Sequence, residues 1–350
     1  MIFLVFGGLI TTYLALNTLS DGEGFMVGLN IVYETVPERF AMILDKSNPE
    51  FNNLPGIGVL VGGMWVANLY YWGFNQYIIQ RTLAAKSLKE AQKGILFAAF
   101  LKLIIPLIVV IPGIAAYVMI NDPEIMARLG DVALTNIPSL EQADKAYPWL
   151  LQFLPVGLKG VAFAALAAAI VSSLASMLNS TSTIFTMDIY KQIKNNVDDN
   201  KLVTIGRVAG LTSMVIAIII AKPLLGNFSQ AFQFIQEFTG FFTPGIVVIF
   251  LLGLFWKKAT TMSVLIAAGT SLFLSIFIWY VFPEYPFIHR MGVVFLISGL
   301  TCYMTALIQG YTDQEKAIDI SGINFRTEKS FNISTVIICI ILIITYSLLW

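Results

Sequence analysis

Two consecutive serines in a run of small apolar residues are the most distinctive candidates for ion binding. Ser172 and Ser173 follow AFAALAAAIV, and Ala169 lies three and four residues before them. On a helix the two side chains project about 100° apart, so two hydroxyl oxygens and the Ala169 carbonyl can converge on one point. Three neutral oxygens suit a monovalent cation better than a divalent one. Alternatively, both hydroxyls bond back to their own helix or to a neighbouring helix.

A second group combines aromatic rings with amides in the run GGMWVANLYYWGFNQYIIQR. Asn68, Tyr71 and Asn75 recur at helical spacing, which predicts that they share a face, and Gln76 lies beside them. Aromatic rings can cover the C–H face of a sugar while amides bond its hydroxyls. An interfacial aromatic belt with packing amides is the alternative. A belt belongs at the end of a span, whereas Asn68 to Trp72 lie in the middle of an apolar run.

Two further polar groups interrupt apolar runs. Lys102 lies in LFAAFLKLIIPLIVV, about 13 Å along a helix from Lys93. It either extends to the membrane interface or supplies three hydrogen-bond donors to a ligand. Gln233, Gln236 and Glu237 lie among phenylalanines, and Phe232 and Gln236 share a face at i, i+4. Solvated amides on a helix at the outer interface are the alternative for this group.

The elements that position these residues are predicted to be membrane-spanning helices. Hydrophobic residues make up 57% of the 350 and charged residues only 12%, about half the usual charged fraction. A crossing needs roughly 20 mostly apolar residues. Nine stretches satisfy this requirement: 2–19, 57–80, 94–120, 154–187, 203–221, 229–256, 261–282, 290–309 and 331–350. The fourth is long enough to continue as helix through Tyr190, and TPG in the sixth predicts a kink.

Lysine and arginine collect on alternate connections between these stretches, as a single orientation requires. The basic connections follow the second, fourth, sixth and eighth spans. We therefore predict a multi-pass protein of the cell (inner) membrane, with the first residue cytoplasmic and the C-terminus outside.

Several classes of function lack support in the sequence. Net charge is zero, so no basic field indicates nucleic acid as a partner. The sequence contains no GxxxxGK[ST] or HExxH motif, and its only histidine is His289, which we predict in an outer loop beside Arg290. No acid–base or nucleophilic group can be assembled within the spans, so we predict that the protein is not an enzyme.

Three long runs carry a family resemblance: AAAIVSSLASMLNSTSTIFTMDIY, WVANLYYWGFNQYIIQRTLAAKS and FLLGLFWKK. They resemble the sodium:solute symporter family, and most closely its bacterial sodium/galactose members of the sodium/glucose type. The resemblance implies an all-α membrane protein with a leucine-transporter-like (LeuT-like) fold, in which two inverted five-helix repeats enclose a central site.

Placed on that pattern, the chain is expected to contain the second repeat and the helices that flank it. Residues 1–20 correspond to the last helix of the first repeat and 21–55 to an extracellular loop with short helices. Residues 56–256 correspond to the second repeat and 257–350 to three flanking helices. The first four core helices and the helix before them are expected to be missing from this chain. Those N-terminal helices of the same transporter would be its partner in completing both sites.

The resemblance also implies roles for individual residues. Asn68, Lys102 and Gln236 would bond sugar hydroxyls, and Tyr71 would stack on the sugar as an inner gate. Phe232 would belong to the outer gate, with Trp72 and Gln76 close to the site. The Ala169 carbonyl, Ser172 and Ser173 would supply this repeat's half of a sodium site.

The implied function is import of a monosaccharide (galactose or glucose type) coupled to sodium, by alternating access. One alternative is a symporter for another solute, such as proline, pantothenate, sialic acid or an inositol. Another is a membrane sensor that binds without transporting. The expected partners are a sugar, sodium and the lipid bilayer.

Overall fold

A computed structural model describes residues 2–131, 133–194, 197–225 and 231–350, and all regular structure in these ranges is helical. Its α-helices are α1 (Ile2–Leu19), α2 (Phe25–Thr35), α3 (Gly58–Val61), α4 (Met64–Leu69), α5 (Gln76–Leu83), α6 (Leu88–Asn121), α7 (Pro123–Leu129), α8 (Ala146–Leu150), α9 (Val156–Thr183), α10 (Lys191–Ile193), α11 (Asp199–Leu225), α12 (Ala231–Gly240), α13 (Thr243–Phe255), α14 (Thr261–Val281), α15 (Phe287–Ile308) and α16 (Lys329–Leu348). Two π-helical segments, Tyr70–Phe74 and Ile184–Tyr190, follow α4 and α9.

Six single helices in the described part of the chain are long and apolar enough to cross a membrane. These are α6, the continuous helix Val156–Ile193, the helix Asp199–Pro223, α14, α15 and α16. A seventh span results if α12 and α13, bent by 47° at their break, are counted as one. The predicted nine spans are therefore not confirmed: α1 is apolar but shorter, and the stretch 57–80 is not one continuous helix.

Two local predictions are confirmed. The fourth span does continue as helix beyond Tyr190, because the π-helical turn follows α9 without a break. The sixth span does bend at TPG: α12 ends at Gly240, and α13 begins at Thr243 with Pro244 in its first turn. Proline suits a first turn because its missing N–H would have no helical acceptor there.

The chain divides into two compact units, of which the first comprises Met1–Phe40 and Phe97–Ala231. Its largest core lies between α1, α2, the C-terminal half of α6 and α8, with Trp149 only 1% exposed. The Trp149 indole donates to the Ala133 carbonyl at 3.1 Å, which satisfies its one polar atom. The Arg128 guanidinium donates to the last carbonyls of α1, those of Thr18 and Leu19, at 3.2 and 2.6 Å, and so caps that helix.

The second unit comprises Ala41–Leu96 and Phe232–Trp350. In it α13, α14 and α15 pack on one another, and the short helices α3 and α4 pack on α15. Glycines permit the closest approach: a Cβ on Gly63 would lie 1.9 Å from the Ile288 carbonyl oxygen and 2.8 Å from the Gly292 nitrogen. Close backbone approach through small residues is a usual way for membrane helices to associate.

We expect Gly63→Ala to destabilise the protein by about 1–3 kcal/mol, because the added methyl meets backbone atoms and α4 must move away from α15. The measurement is the thermal unfolding midpoint in detergent. Gly299→Ala is the matched control, since Gly299 lies on α15 and a Cβ there would meet nothing within 4 Å. Equal midpoints for the two variants would contradict the close contact.

Candidate functional site

The predicted second span is a chain of short helical pieces. A backbone break at Gly62 (φ −103°, ψ −140°) separates α3 from α4. The π-helical turn Tyr70–Phe74 follows α4, and Asn75 is extended (φ −88°, ψ 113°) before α5 begins at Gln76. The regular helical spacing that predicted Asn75 on the face of Asn68 and Tyr71 is therefore wrong at Asn75. Such π-turns frequently occur at functional sites.

The π-helical turn gathers three aromatic rings. Tyr71 lies edge-on to Trp72 at 5.2 Å and to Tyr77 at 6.2 Å between ring centroids. The Tyr77 hydroxyl donates to the Tyr71 hydroxyl at 3.3 Å. Tyr71 and Trp72 are 36% and 41% exposed. One turn earlier, Asn68 is exposed and donates through Nδ2 to the Met64 carbonyl at 2.9 Å.

The rest of the second unit holds these pieces in place. The rings of Phe74 and Phe250 stack at 5.0 Å, which fastens the π-helical turn to α13. At the other end of the broken span, α3 meets α15 so closely that a Cβ on Gly58 would lie 2.0 Å from Nε2 of His289. The half-buried Gln76 begins α5, directly after the extended Asn75. The exposed aromatic and amide side chains therefore lie at a break in the helix, and contacts with α13 and α15 hold this break in place.

Gln236 and Phe232 occupy one face of α12, as their spacing predicted, because α12 is a regular helix over both. Both are exposed, Phe232 to 73%. The neighbouring Gln233 is half-buried, and its amide nitrogen donates to the side-chain oxygen of Asn53. In this helix one glutamine is thus committed to packing within the unit, and Gln236 presents its side chain outward.

Ala169, Ser172 and Ser173 lie on the uninterrupted part of α9, in the first unit. Their three- and four-residue spacings are therefore those of a true helix. The side chains of both serines are exposed. Within the described residues neither hydroxyl donates to a carbonyl, whereas Ser176, one turn on, donates to the Ser172 carbonyl at 3.0 Å. Among the described residues, neither serine therefore bonds back to α9.

Lys102 lies in α6, in the first unit, and its side chain is exposed. Pro106, four residues on, has no N–H to donate to the Lys102 carbonyl, so α6 lacks one helical hydrogen bond there. The structure therefore groups Asn68, Tyr71, Trp72, Gln76, Phe232 and Gln236 in the second unit, and Lys102, Ala169, Ser172 and Ser173 in the first.

Sequence reasoning missed a buried ion pair in the second unit. His289 was predicted in an outer loop and Arg290 at the very start of the eighth span, but both lie in the first turn of α15. The Arg290 side chain is 3% exposed, and its Nη2 lies 3.0 Å from the Glu237 carboxylate on α12. The one available signal was an acidic residue among the amides of α12 and an arginine at the start of an apolar run. Nothing local in the sequence pairs residues so far apart.

The sequence profile of the sodium:solute symporter family matches residues 1–269. The chain belongs to the sodium:solute symporter family. The resemblance inferred from the three sequence runs is thus confirmed at the level of the family. With its apolar helices, this member of the family is a multi-pass membrane protein.

The chain is also similar to individual members of this family. The chain is 55% identical to a sodium/glucose cotransporter of Vibrio parahaemolyticus, over 99% of this chain and 64% of that protein. It is 30% identical to an uncharacterized symporter, YidK, of Escherichia coli K12, over 98% of this chain and 57% of that protein. It is 38% identical to human sodium/myo-inositol cotransporter 2, over 60% of this chain and 31% of that protein. The chain thus spans less than two thirds of the length of each of these relatives.

Proposed function

We propose that the protein imports a monosaccharide of the galactose or glucose type together with sodium, by alternating access. The observation that carries the proposal is the interruption of the second span, where the partly exposed side chains of Tyr71 and Trp72 follow within about one turn of the exposed Asn68. Rings and amides in this combination suit a neutral ligand rich in hydroxyls. The 55% identity to the Vibrio sodium/glucose cotransporter supports the same substrate class.

In this proposal Asn68, Lys102 and Gln236 bond sugar hydroxyls, and Tyr71 stacks on the sugar ring. Phe232 forms part of the outer gate. Their geometry within each unit supports the roles: Asn68 and Gln236 are exposed amides, and Lys102 places an ammonium group inside an apolar span. Trp72 and Gln76 flank this site on the π-helical turn and at the start of α5.

The Ala169 carbonyl, Ser172 and Ser173 are the proposed sodium ligands. Oxygen is the ligand that hard cations prefer, and both serine hydroxyls in the described structure are left available by α9. Sodium and sugar each strengthen the binding of the other by linkage, which is reciprocal. Membrane potential adds about 2.3 kcal/mol per charge for each 100 mV, so tight sodium binding is unnecessary and a few neutral oxygens suffice.

The remaining assignments are part of the proposal. They are a LeuT-like fold with residues 1–20, 21–55, 56–256 and 257–350 in the expected roles, a cell (inner) membrane location, and a cytoplasmic first residue with the C-terminus outside. Support comes from the family match and from the alternating basic connections. That N-terminal helices of the same transporter complete both sites stays a prediction.

A second candidate substrate is an inositol. It is favoured by the 38% identity to human sodium/myo-inositol cotransporter 2, which covers 60% of this chain. An inositol is also a neutral ring rich in hydroxyls, so the same rings and amides would serve it. Competition between the two ligands for one site separates the candidates.

The test is uptake of radiolabelled galactose into liposomes that contain the full-length protein, with an inward sodium gradient and with potassium in its place. We expect accumulation only with sodium, and competition by unlabelled glucose. Stronger competition by myo-inositol would favour the second candidate. Equal uptake with and without sodium would contradict the coupling.

A further inference from the structure

Arg290 is a charged side chain that the proposed sugar and sodium sites do not use. It lies in the first turn of α15, its side chain is 3% exposed, and its Nη2 donates to Glu237 Oε1 at 3.0 Å. Glu237 is 34% exposed and belongs to α12. A buried charge is costly unless it is paired, so this pair strongly favours α12 lying against α15.

The same guanidinium contacts the bend that follows α12. Its central carbon lies 4.8 Å from the centroid of the Phe241 ring, and Phe241 is one of the two residues that separate α12 from α13. Stacking on an aromatic face is a contact that arginine makes better than lysine. Phe241 in turn lies edge-on to Trp279 of α14 at 6.0 Å. Arg290 of α15 therefore contacts both the last turn of α12, through Glu237, and the 47° bend that follows it, through Phe241.

A contact with the neighbouring side chain on α15 supports the same placement of α12. A Cβ on Gly240, the last residue of α12, would lie 3.1 Å from Sδ of Met291, the residue after Arg290. The end of α12 and the start of α15 are thus in close contact at two successive positions of α15. Gln236 directly precedes Glu237, and Phe232 lies one turn earlier on the same face. Any rotation of α12 that breaks the ion pair must also move these two side chains.

We propose that Arg290 is a positioning residue, which holds α12 at its bend through Glu237 and Phe241 and so sets where Gln236 and Phe232 are presented. The contacts that hold α12 in place all lie within the second unit. The expected effect of Arg290 on sugar binding rests on the proposed function. Arg290 itself is not assigned a contact with sugar or sodium.

The first experiment tests the position of α12 without reference to transport. Spin labels at Ile235 on α12 and Leu296 on α15, both exposed, are introduced after replacement of Cys302 and Cys339. Pulsed electron paramagnetic resonance then measures their separation in the full-length protein. We expect a single narrow distance distribution in the parent and a broad or shifted one in Arg290→Gln and in Glu237→Gln. Glu237→Gln keeps an amide beside Arg290 and serves where Arg290→Gln does not fold.

Glu328→Gln is the matched control. It breaks an ion pair of equal length in the same unit, Lys89 to Glu328 at 3.0 Å, in which both side chains are about half exposed. Exposed pairs contribute little, so its distance distribution should equal that of the parent. Narrow parental distributions in both Arg290→Gln and Glu237→Gln would overturn the proposal.

The second experiment measures uptake kinetics normalised to folded protein. We expect Arg290→Gln and Arg290→Lys to raise the sugar KM about tenfold, within the range that displaced coupling residues produce, and Glu328→Gln to leave it unchanged. The exchanged pair Glu237→Arg with Arg290→Glu should recover part of the loss. A lower yield of folded protein with an unchanged KM would show a purely structural role and overturn the positioning role. If the parent itself shows no sodium-dependent uptake, the proposed function fails, and the distance measurement still decides the position of α12.

Discussion

Ser173→Ala in the full-length protein should raise the sodium concentration for half-maximal sugar uptake about tenfold or more, because it removes one of a few neutral oxygens around a desolvated cation. The hydroxyl is available for this role: within the described residues it donates to no carbonyl of its own helix, and its side chain is exposed in the protein alone. The measurement is initial uptake at fixed sugar over a range of sodium concentrations. Ser173→Thr keeps the oxygen and should retain most of the sodium affinity.

Ser176→Ala is the matched control for this prediction. Ser176 lies on the same helix, but its hydroxyl donates to the Ser172 carbonyl at 3.0 Å. Like Ser173→Ala, Ser176→Ala removes one hydroxyl oxygen from α9, but at a position one turn away. The sodium dependence of uptake should therefore stay near that of the parent. If Ser173→Ala and Ser176→Ala have equal sodium dependence, Ser173 is not a ligand.

The continuous helix under the proposed sodium ligands could be predicted from the sequence alone. From Val156 to Thr183 the chain contains no glycine after Gly160 and no proline, and its small residues permit close packing without a break. The positions of Ala169, Ser172 and Ser173 on one helix then follow from local geometry. The bend before Thr243 could also be predicted, because proline cannot continue the hydrogen-bonding pattern of a preceding turn.

The interruption of the second span could not be predicted in the same way. No proline marks the break at Asn75, and the Tyr-Tyr-Trp-Gly-Phe segment suits a helix as well as a π-helical turn. Contacts from distant parts of the chain accompany the break: Phe74 stacks on Phe250, and Gly63 meets the backbone of Ile288. The helical spacing that predicted one shared face for Asn68, Tyr71 and Asn75 therefore misplaced Asn75.

The ion pair between Arg290 and Glu237 illustrates the same limit. Read locally, Arg290 follows a segment with two prolines, PEYP, which is typical of a loop. Its true environment is created by α12, 53 residues earlier in the chain. Polar residues within a span are good candidates for function, but their partners are fixed by packing, which a single sequence does not encode locally.

Lys102→Met should lower kcat/KM for the sugar about tenfold to a hundredfold, because a hydrogen bond from a charged donor is worth roughly 1.5–3 kcal/mol. Methionine keeps the apolar length of the side chain, so the change removes the ammonium group rather than the packing of the stem. The effect should appear mainly in the KM for sugar, since the proposed contact is made in the sugar-bound ground state as well as in the transition state of transport. Uptake kinetics at saturating sodium measure it.

Lys201→Met is the matched control, because Lys201 is an exposed lysine in the first turn of α11, in the same unit as Lys102. Both variants lose one positive charge, so a general effect of charge on the membrane surface would change both alike. Lys102→Arg adds a second comparison: it keeps the charge but replaces a compact ammonium by a planar fork, and we expect only partial recovery. Parental kinetics in Lys102→Met would contradict the assignment of Lys102 to the sugar site, whereas equal losses in Lys102→Met and Lys201→Met would attribute the effect to charge alone.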